Sequence, residues 1–145
     1  MKITIIGSGY VGLVSGICFA KIGHNVVCVD KDQEKISSLQ SGVIPIFEPG
    51  LAEMLQEVVA TKHISFTTDL NQSIHGSNAV FIAVGTPQGE DGSADLSYVL
   101  AAAREIAEIA KAQKISQLMI ITKSTVPVGT GAKIKKLVDE IAPEV

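Results

Sequence analysis

The chain opens on a short apolar stretch, residues 2–6 (KITII), that runs without interruption into GSGYVG at residues 7–12. A turn of the form G-x-G-x-x-G between a strand and a helix admits few backbone paths. Gly7 permits the tight turn, Gly9 lets the backbone approach a ligand with no Cβ in between, and Gly12 permits close packing of helix on strand. The pattern predicts a helix over residues 11–22, ended by Gly23, and a second strand over 25–29 (NVVCV) with Asp30 at its end. Such a helix N-terminus offers free N–H groups and a partial positive charge, which suit a phosphate. Asp30 follows Gly12 by 18 residues, close to the spacing of about 20 at which an acid meets a ribose 2′-hydroxyl. Strand, turn, helix, strand and acid together point to a dinucleotide. A carboxylate at position 30 accepts from the two adenosine ribose hydroxyls of NAD and repels the 2′-phosphate of NADP. The competing readings are a glycine-rich turn in another α/β domain, or a methyltransferase loop that holds a nucleoside without pyrophosphate. Three glycines at this spacing favour the dinucleotide.

Composition narrows the class further. A chain of 145 residues is one domain's worth, and 46% hydrophobic residues suffice for a core. No apolar run approaches the roughly 18 residues of a membrane-spanning helix, and the first residues read as strand rather than as a cleavable leader. A net charge of −3 with no basic block argues against nucleic acid as a partner. Cys18 and Cys28 both sit among apolar residues and read as small buried hydrophobes. Two thiols with no C-x-x-C fit a reducing, cytoplasmic setting. His24, His63 and His75 read as solvent-facing, with no metal-ligand spacing, so no metal is expected.

Strands and helices alternate along the rest of the chain, which predicts an α/β fold, a doubly wound parallel sheet of the Rossmann type. A short helix is expected over 33–41, and Lys35 on it lies near where the adenosine end of a dinucleotide would sit. Residues 43–50 (VIPIFEPG) form a two-proline connection. A helix over 51–60 carries Leu51, Met54, Leu55, Val58 and Val59 on one stripe. A third strand follows at 63–67, Asp69 caps a short helix over 70–75, and an apolar fourth strand occupies 79–84. Gly85, Thr86 and Pro87 come at that strand's carboxyl end, and the polar residues 88–94 read as a mobile loop over a crevice. Asp95 is expected to cap a helix over 96–112, whose charged face (Arg104, Glu105, Glu108, Lys111) reads as solvated surface. A fifth strand over 118–123 ends in STVPVGT, and Thr130 or a neighbour caps a last helix carrying Ile134, Leu137, Val138 and Ile141. Five strands are visible of the six usual in the order 3-2-1-4-5-6.

Three turns therefore converge on one crevice, at residues 7–12, 85–87 and 124–130. Thr86 and Thr125 are the side chains in the second and third that would approach the ribose and nicotinamide, although threonines in such turns also bond their own backbone. No catalytic base with an orienting partner is evident. Glu48 is the one carboxylate in an unusual setting, and a loop acid is usually just exposed. The chain reads as a cofactor half without a catalytic half.

These residues resemble the UDP-glucose/GDP-mannose dehydrogenase family. The likeness is carried by residues 1–30, by VIPIFEPGL (43–51), AVGTP (83–87) and ADLSYV (94–99), and by KSTVPVGTG (123–131). KSTVPV is closer to the UDP-glucose branch than to the GDP-mannose branch. The resemblance implies an NAD-dependent, four-electron oxidation of UDP-glucose to UDP-glucuronate through an aldehyde and a covalent thioester. It implies that Tyr10 and Val11 belong to the pyrophosphate loop and that Asp30 and Lys35 contact the adenosine ribose. It places Thr86 and Thr125 toward the nicotinamide ribose, with Thr125 helping to position a water. Family members are expected to continue into a central dimerising helix and a C-terminal UDP-sugar domain that bears the nucleophilic cysteine in G-F-G-G-S-C-F-P-K-D. Those motifs are absent here, and neither Cys18 nor Cys28 matches that position. Residues 1–145 are thus expected to be an NAD-binding domain that is not catalytic alone, from an enzyme that is a homo-oligomer when complete. A dehydrogenase for GDP-mannose or another nucleotide sugar, and a stand-alone NAD-binding regulatory module, remain the alternatives.

Overall fold

The computed structural model describes residues 1–90 and 92–145. Its strands are β1 (Lys2–Ile6), β2 (Asn25–Val29), β3 (Ile64–Thr67), β4 (Ala79–Ile82) and β5 (Met119–Thr122). Its helices are α1 (Tyr10–Lys21), α2 (Gln33–Gln40), α3 (Leu51–Ala60), α4 (Leu70–Ile74), α5 (Ser97–Ala112) and α6 (Thr130–Ile141). The strands form one parallel sheet in the order β3-β2-β1-β4-β5, with Ile5 opposite both Cys28 and Phe81. The chain moves outward from β1 through β2 to β3, then returns to the other side of β1 and moves outward again. The reversal falls between β1 and β4, where an open α/β sheet leaves its ligand crevice.

Alternation along the strands sends side chains to two cores. Ile3, Ile5, Val26, Cys28, Ile64 and Phe66 face one core, closed by Leu13 and Ile17 of α1, Ile36 and Leu39 of α2, and Leu55 and Val58 of α3. Ile6, Val29, Val80 and Ile82 face the other, closed by Ile74 of α4, Val99 and Ile106 of α5, and Ile134 and Val138 of α6. Thr4 is a buried polar residue in β1. Its hydroxyl donates to the Ser73 carbonyl at 2.8 Å and meets the Ser77 hydroxyl at 2.8 Å, so its burial leaves no bond unmade. β4 is apolar and largely buried, as a central parallel strand should be, whereas β5 on the margin is half-buried.

Several local expectations shift. Cys28 is fully buried, but Cys18 is exposed, because the inner stripe of α1 runs through Leu13, Ile17 and Ala20 and position 18 falls outside it. Val59 likewise points outward from α3. Asp95 does not cap α5. Leu96 takes that position, and Asp95, one residue earlier, accepts the Ser97 N–H on its Oδ1 at 2.8 Å. Asp69 does cap α4, accepting the Gln72 N–H at 2.9 Å. In the region expected to be a mobile loop, Gln88 bridges Ala94, and the Gly89 N–H donates to the Ser93 carbonyl at 2.7 Å. Asp91, within the expected loop 88–94, lies outside the described residues.

Candidate functional site

Gly7 adopts φ +97°, and its N–H donates to the Val29 carbonyl at 2.8 Å, so the turn is held by the end of β2. A Cβ at Gly7 would lie 2.6 Å from the Ala83 carbonyl oxygen, and one at Gly12 would lie 1.9 Å from the Gly7 carbonyl oxygen. Only glycine lets α1 start so close to β1 and to the end of β4. Gly9 differs: a Cβ there would meet nothing within 4 Å. The space beside it is open, and a side chain would fill it in place of a ligand.

Gly9 is the N-cap of α1 and offers no side-chain cap, and the first turn carries no acid. The first intrahelical bond runs from Leu13 N to the Gly9 carbonyl at 2.9 Å. Tyr10, Val11 and Gly12 therefore have N–H groups with no intrahelical acceptor, at the positive end of the helix. An uncapped helix end over an open glycine fits an anion such as a pyrophosphate.

The crevice beside this turn has a volume of about 440 Å³. Gly7 and Gly9 line it from the β1–α1 turn, Asp30, Lys31 and Lys35 from the end of β2 and the start of α2, and Gly85 from the end of β4. Its apolar floor includes Ile6, Val29, Leu70 and Ala102, with Tyr98 and Glu105 on the α5 side. Asp30 is pinned there. Its Oδ2 accepts from the N–H and hydroxyl of Ser8 at 2.9 and 2.7 Å, and Lys35 Nζ stands 3.3 Å away. Its Oδ1 accepts the Asp32 N–H at 3.1 Å. Partial burial pushes the Asp30 carboxyl up, but the Ser8 N–H, the Ser8 hydroxyl, the Asp32 N–H and the Lys35 ammonium outweigh it and hold the group below its ordinary range.

The structure thus brings Gly7, Gly9, Asp30 and Lys35 into one crevice. Tyr10, Val11 and Gly12 form the helix start beside it. The Tyr10 hydroxyl donates to Glu48, tying the proline connection to that helix start, and Glu48 is half-buried rather than free. That carboxylate's hydrogen bond raises the Tyr10 phenol, with desolvation and charge repulsion adding to it. Thr86 and Thr125 do not line this crevice. The Thr86 hydroxyl donates to the Thr125 carbonyl at 3.0 Å, and Ser124 Oγ donates to the Val84 carbonyl at 2.7 Å, so hydroxyls stitch the β4 and β5 turns together. Sequence reasoning missed Ser8, Tyr98 and Glu105. Glu105 belongs to the face of α5 expected to be solvated, yet it lines the crevice and pairs with Lys31 at 3.4 Å. Among the described residues no group of three His, Cys, Asp or Glu side chains could hold a metal ion, and no helix is long and apolar enough to cross a membrane.

A doubly wound parallel sheet with a glycine turn, an open helix N-terminus and a pinned carboxylate at the end of β2 defines a dinucleotide-binding domain of the Rossmann type. The sequence model of the UDP-glucose/GDP-mannose dehydrogenase family, NAD binding domain, matches residues 1–144. The chain belongs to that family, as its NAD binding domain. It is 58% identical over 144 residues to a UDP-glucose 6-dehydrogenase of Rhizobium meliloti, covering 99% of this chain and 32% of that protein. It is 51% identical over 139 residues to the UDP-glucose 6-dehydrogenase TuaD of Bacillus subtilis, covering 96% of this chain and 29% of that protein. Among solved structures, a GDP-mannose dehydrogenase from Pseudomonas aeruginosa in a ternary complex superposes with a TM-score of 0.92 at 36% identity, over 99% of this chain and 33% of that one. A UDP-glucose dehydrogenase from Pyrobaculum islandicum gives 0.89 at 38% identity, over 97% and 33%. The chain spans about a third of the length of these relatives.

Proposed function

We propose that this chain is the NAD-holding part of a UDP-glucose 6-dehydrogenase, which when complete converts UDP-glucose and two NAD to UDP-glucuronate. The observation that carries the cofactor half of this reading is the Asp30 carboxylate, held in a crevice that begins at the open, uncapped start of α1. Gly9, Tyr10, Val11 and Gly12 hold the pyrophosphate through backbone N–H groups, Gly7, its own N–H bonded to the Val29 carbonyl, shapes the turn beneath it, and Asp30 and Lys35 take the adenosine ribose. Thr86 and Thr125, joined to each other outside the lining of the crevice, are assigned to the nicotinamide side. NAD supplies the hydride acceptor. UDP-glucose rather than GDP-mannose is favoured by the relatives at 58% and 51% identity, both UDP-glucose 6-dehydrogenases.

Residues 1–145 are read as one NAD-binding domain, and the sugar-binding and nucleophilic groups are assigned to the rest of such an enzyme. The two thiols support this. Burial pushes Cys28 up to about 12, and Cys18 lies on the outer side of α1, away from the crevice. Neither is placed to attack a sugar aldehyde. A homo-oligomeric, cytoplasmic enzyme with no nucleic-acid or membrane partner completes the reading, in keeping with the net charge of −3.

Calorimetric titration of the chain with NAD and with NADP tests the cofactor half. NAD binding with much weaker NADP binding is expected, and binding of neither would sink it. The substrate half is tested in the longer protein that carries this chain. Two NADH per UDP-glucose, and none from GDP-mannose, is the expected result. The reverse preference would move the chain to the other branch.

A further inference from the structure

Ser8 occupies the first variable position of the glycine turn and is fully buried, 0% exposed, although it is a small polar residue in a loop. Both of its donors go to one atom. Its N–H and hydroxyl reach Asp30 Oδ2 at 2.9 and 2.7 Å, and the Asp30 side chain is left only 15% exposed. An ionised carboxylate offers about two acceptor sites on each oxygen. Ser8 fills both sites of Oδ2, with Lys35 Nζ a longer third partner at 3.3 Å. Oδ1 holds the Asp32 N–H at 3.1 Å and keeps one site. Counting donors therefore revises the expectation that this carboxylate takes both ribose hydroxyls freely. One hydroxyl can bond Oδ1 at once, and a second has either to displace the Asp32 N–H from Oδ1 or to take the place of Lys35 as the long third partner of Oδ2.

We propose that Ser8 is the positioning residue that sets cofactor choice at this crevice: its two bonds to Oδ2 lock the Asp30 carboxylate, so that Oδ1 is presented to the adenosine ribose and accepts a 2′-hydroxyl but repels a 2′-phosphate. This deepens the reading of the crevice as an NAD site and rests on it. The lock matters because the neighbouring charges would otherwise favour a phosphate. Lys31 and Lys35 both line the crevice, Lys31 paired with Glu105 of α5 and Lys35 with Asp30 itself. Among the described residues, Asp32, the cap of α2, and Tyr98 of α5 are further ionisable groups close by. From the β1–α1 turn the neighbour is Ser8, which carries no charge, and from the end of β3 it is Thr68, followed in sequence by Asp69. A carboxylate free to turn would leave Lys35 exposed to an incoming phosphate. A carboxylate held by Ser8 keeps the pair closed.

The test uses the chain, Ser8→Ala and Ser8→Thr. Each is titrated calorimetrically with NAD and NADP, and the Asp30 carboxyl carbon is followed by NMR against pH without cofactor. Ser8→Ala is expected to lose roughly fivefold to tenfold in NAD affinity, the scale of one hydrogen bond to a charged group after partial compensation. The gap between NAD and NADP narrows, and the Asp30 midpoint moves up toward the ordinary carboxylate value. Ser8→Thr, which keeps the hydroxyl, restores the gap and the midpoint. A merely structural role for Ser8 would still let the midpoint rise, because one donor to Asp30 is lost, but would leave the ratio of NAD to NADP affinity unchanged. If the parent binds NAD and Ser8→Ala leaves the ratio of NAD to NADP affinity unchanged, whatever the midpoint does, this inference alone fails. If the parent binds neither dinucleotide, the reading of the crevice fails and this inference falls with it.

Discussion

A Cβ added to Gly16 would lie 2.7 Å from the Sγ of Cys28 and 3.3 Å from Cδ1 of Ile5. Helix α1 therefore rests on β1 and β2 at a separation that one methyl group would upset, one turn beyond the motif glycines. Gly16→Ala is expected to destabilise the fold by about 1–3 kcal/mol through overpacking, even though alanine favours a helix by about 1 kcal/mol. Thermal unfolding measures it. Combined with Cys28→Ala, the change should cost less than the two single changes summed, because the smaller residue vacates the contested space. Strict additivity would mean that the two do not meet.

The two thiols should differ sharply in reactivity. Burial pushes Cys28 up to about 12, while Cys18 is exposed. An alkylating reagent near pH 8 should label Cys18 alone in the folded chain and both after unfolding, since the thiolate is the reacting species. Mass spectrometry after digestion reads the result. Equal labelling in the native state would show that α1 does not stay seated on β2.

Four helices end in the same hydrogen-bonded turn. After α1 and α2 the left-handed residue is Gly23 or Gly42, but after α3 and α5 it is Lys62 (φ 59°) or Lys114 (φ 55°). The paired bonds are intact in the lysine cases. Lys62 N bonds Val59 O and His63 N bonds Val58 O, both at 3.0 Å; Lys114 N bonds Lys111 O at 3.2 Å and Ile115 N bonds Ala110 O at 2.9 Å. Lys62→Gly and Lys114→Gly should each stabilise the chain by about 0.5–1 kcal/mol, the left-handed penalty less glycine's greater entropy loss. A lowered melting temperature would show that the lysine side chains contribute more than their backbone strain removes.

Asp30 links the crevice to pH. Its folded carboxyl titrates below the ordinary value, so the stability it contributes is fully present above the ordinary carboxylate range. That stability is lost as pH falls through the depressed folded value. Asp30→Asn should flatten the acid side of a melting-temperature profile in that window. Asp30→Ala should weaken NAD binding by roughly 1–3 kcal/mol, because polar partners are left unpaired. It should also strengthen NADP binding, with Lys35 released. An unchanged NAD titration would remove Asp30 from the site.

What the sequence disclosed and what it hid divide along a physical line. The glycine turn, the strand after it and Asp30 lie within one contiguous stretch, and local spacing suffices to place them. The β4 and β5 turns were placed by the alternation of strands and helices. Gly16 and Ser8 look ordinary in sequence, because their roles depend on how near β2 comes in space. Cys18 and Cys28 share apolar neighbours, and only the helical phase separates the outward thiol from the inward one. Glu105 lies among charges that read as a solvated face, and its place in the crevice depends on α5 bringing it to Lys31, which is 74 residues away in the chain. Thr86 was legible as a turn residue near the site. Its bond to the Thr125 carbonyl joins groups that are 39 residues apart.

The order β3-β2-β1-β4-β5 gives the sheet two margins, and they are unequal. On the β3 side, Gln40 at the end of α2 donates its side-chain amide to the Phe66 carbonyl at 2.8 Å, which blunts that edge. On the β5 side, Met119 and Lys123 bond inward to Asn78 and Ile82, so the backbone groups of Ile120 and Thr122 alternate outward, and no described residue bonds them. The sheet thus has a polarity of growth. It is a ribbon stitched once along one selvedge and raw along the other, and the freer row of backbone groups for a further strand to meet lies beside β5.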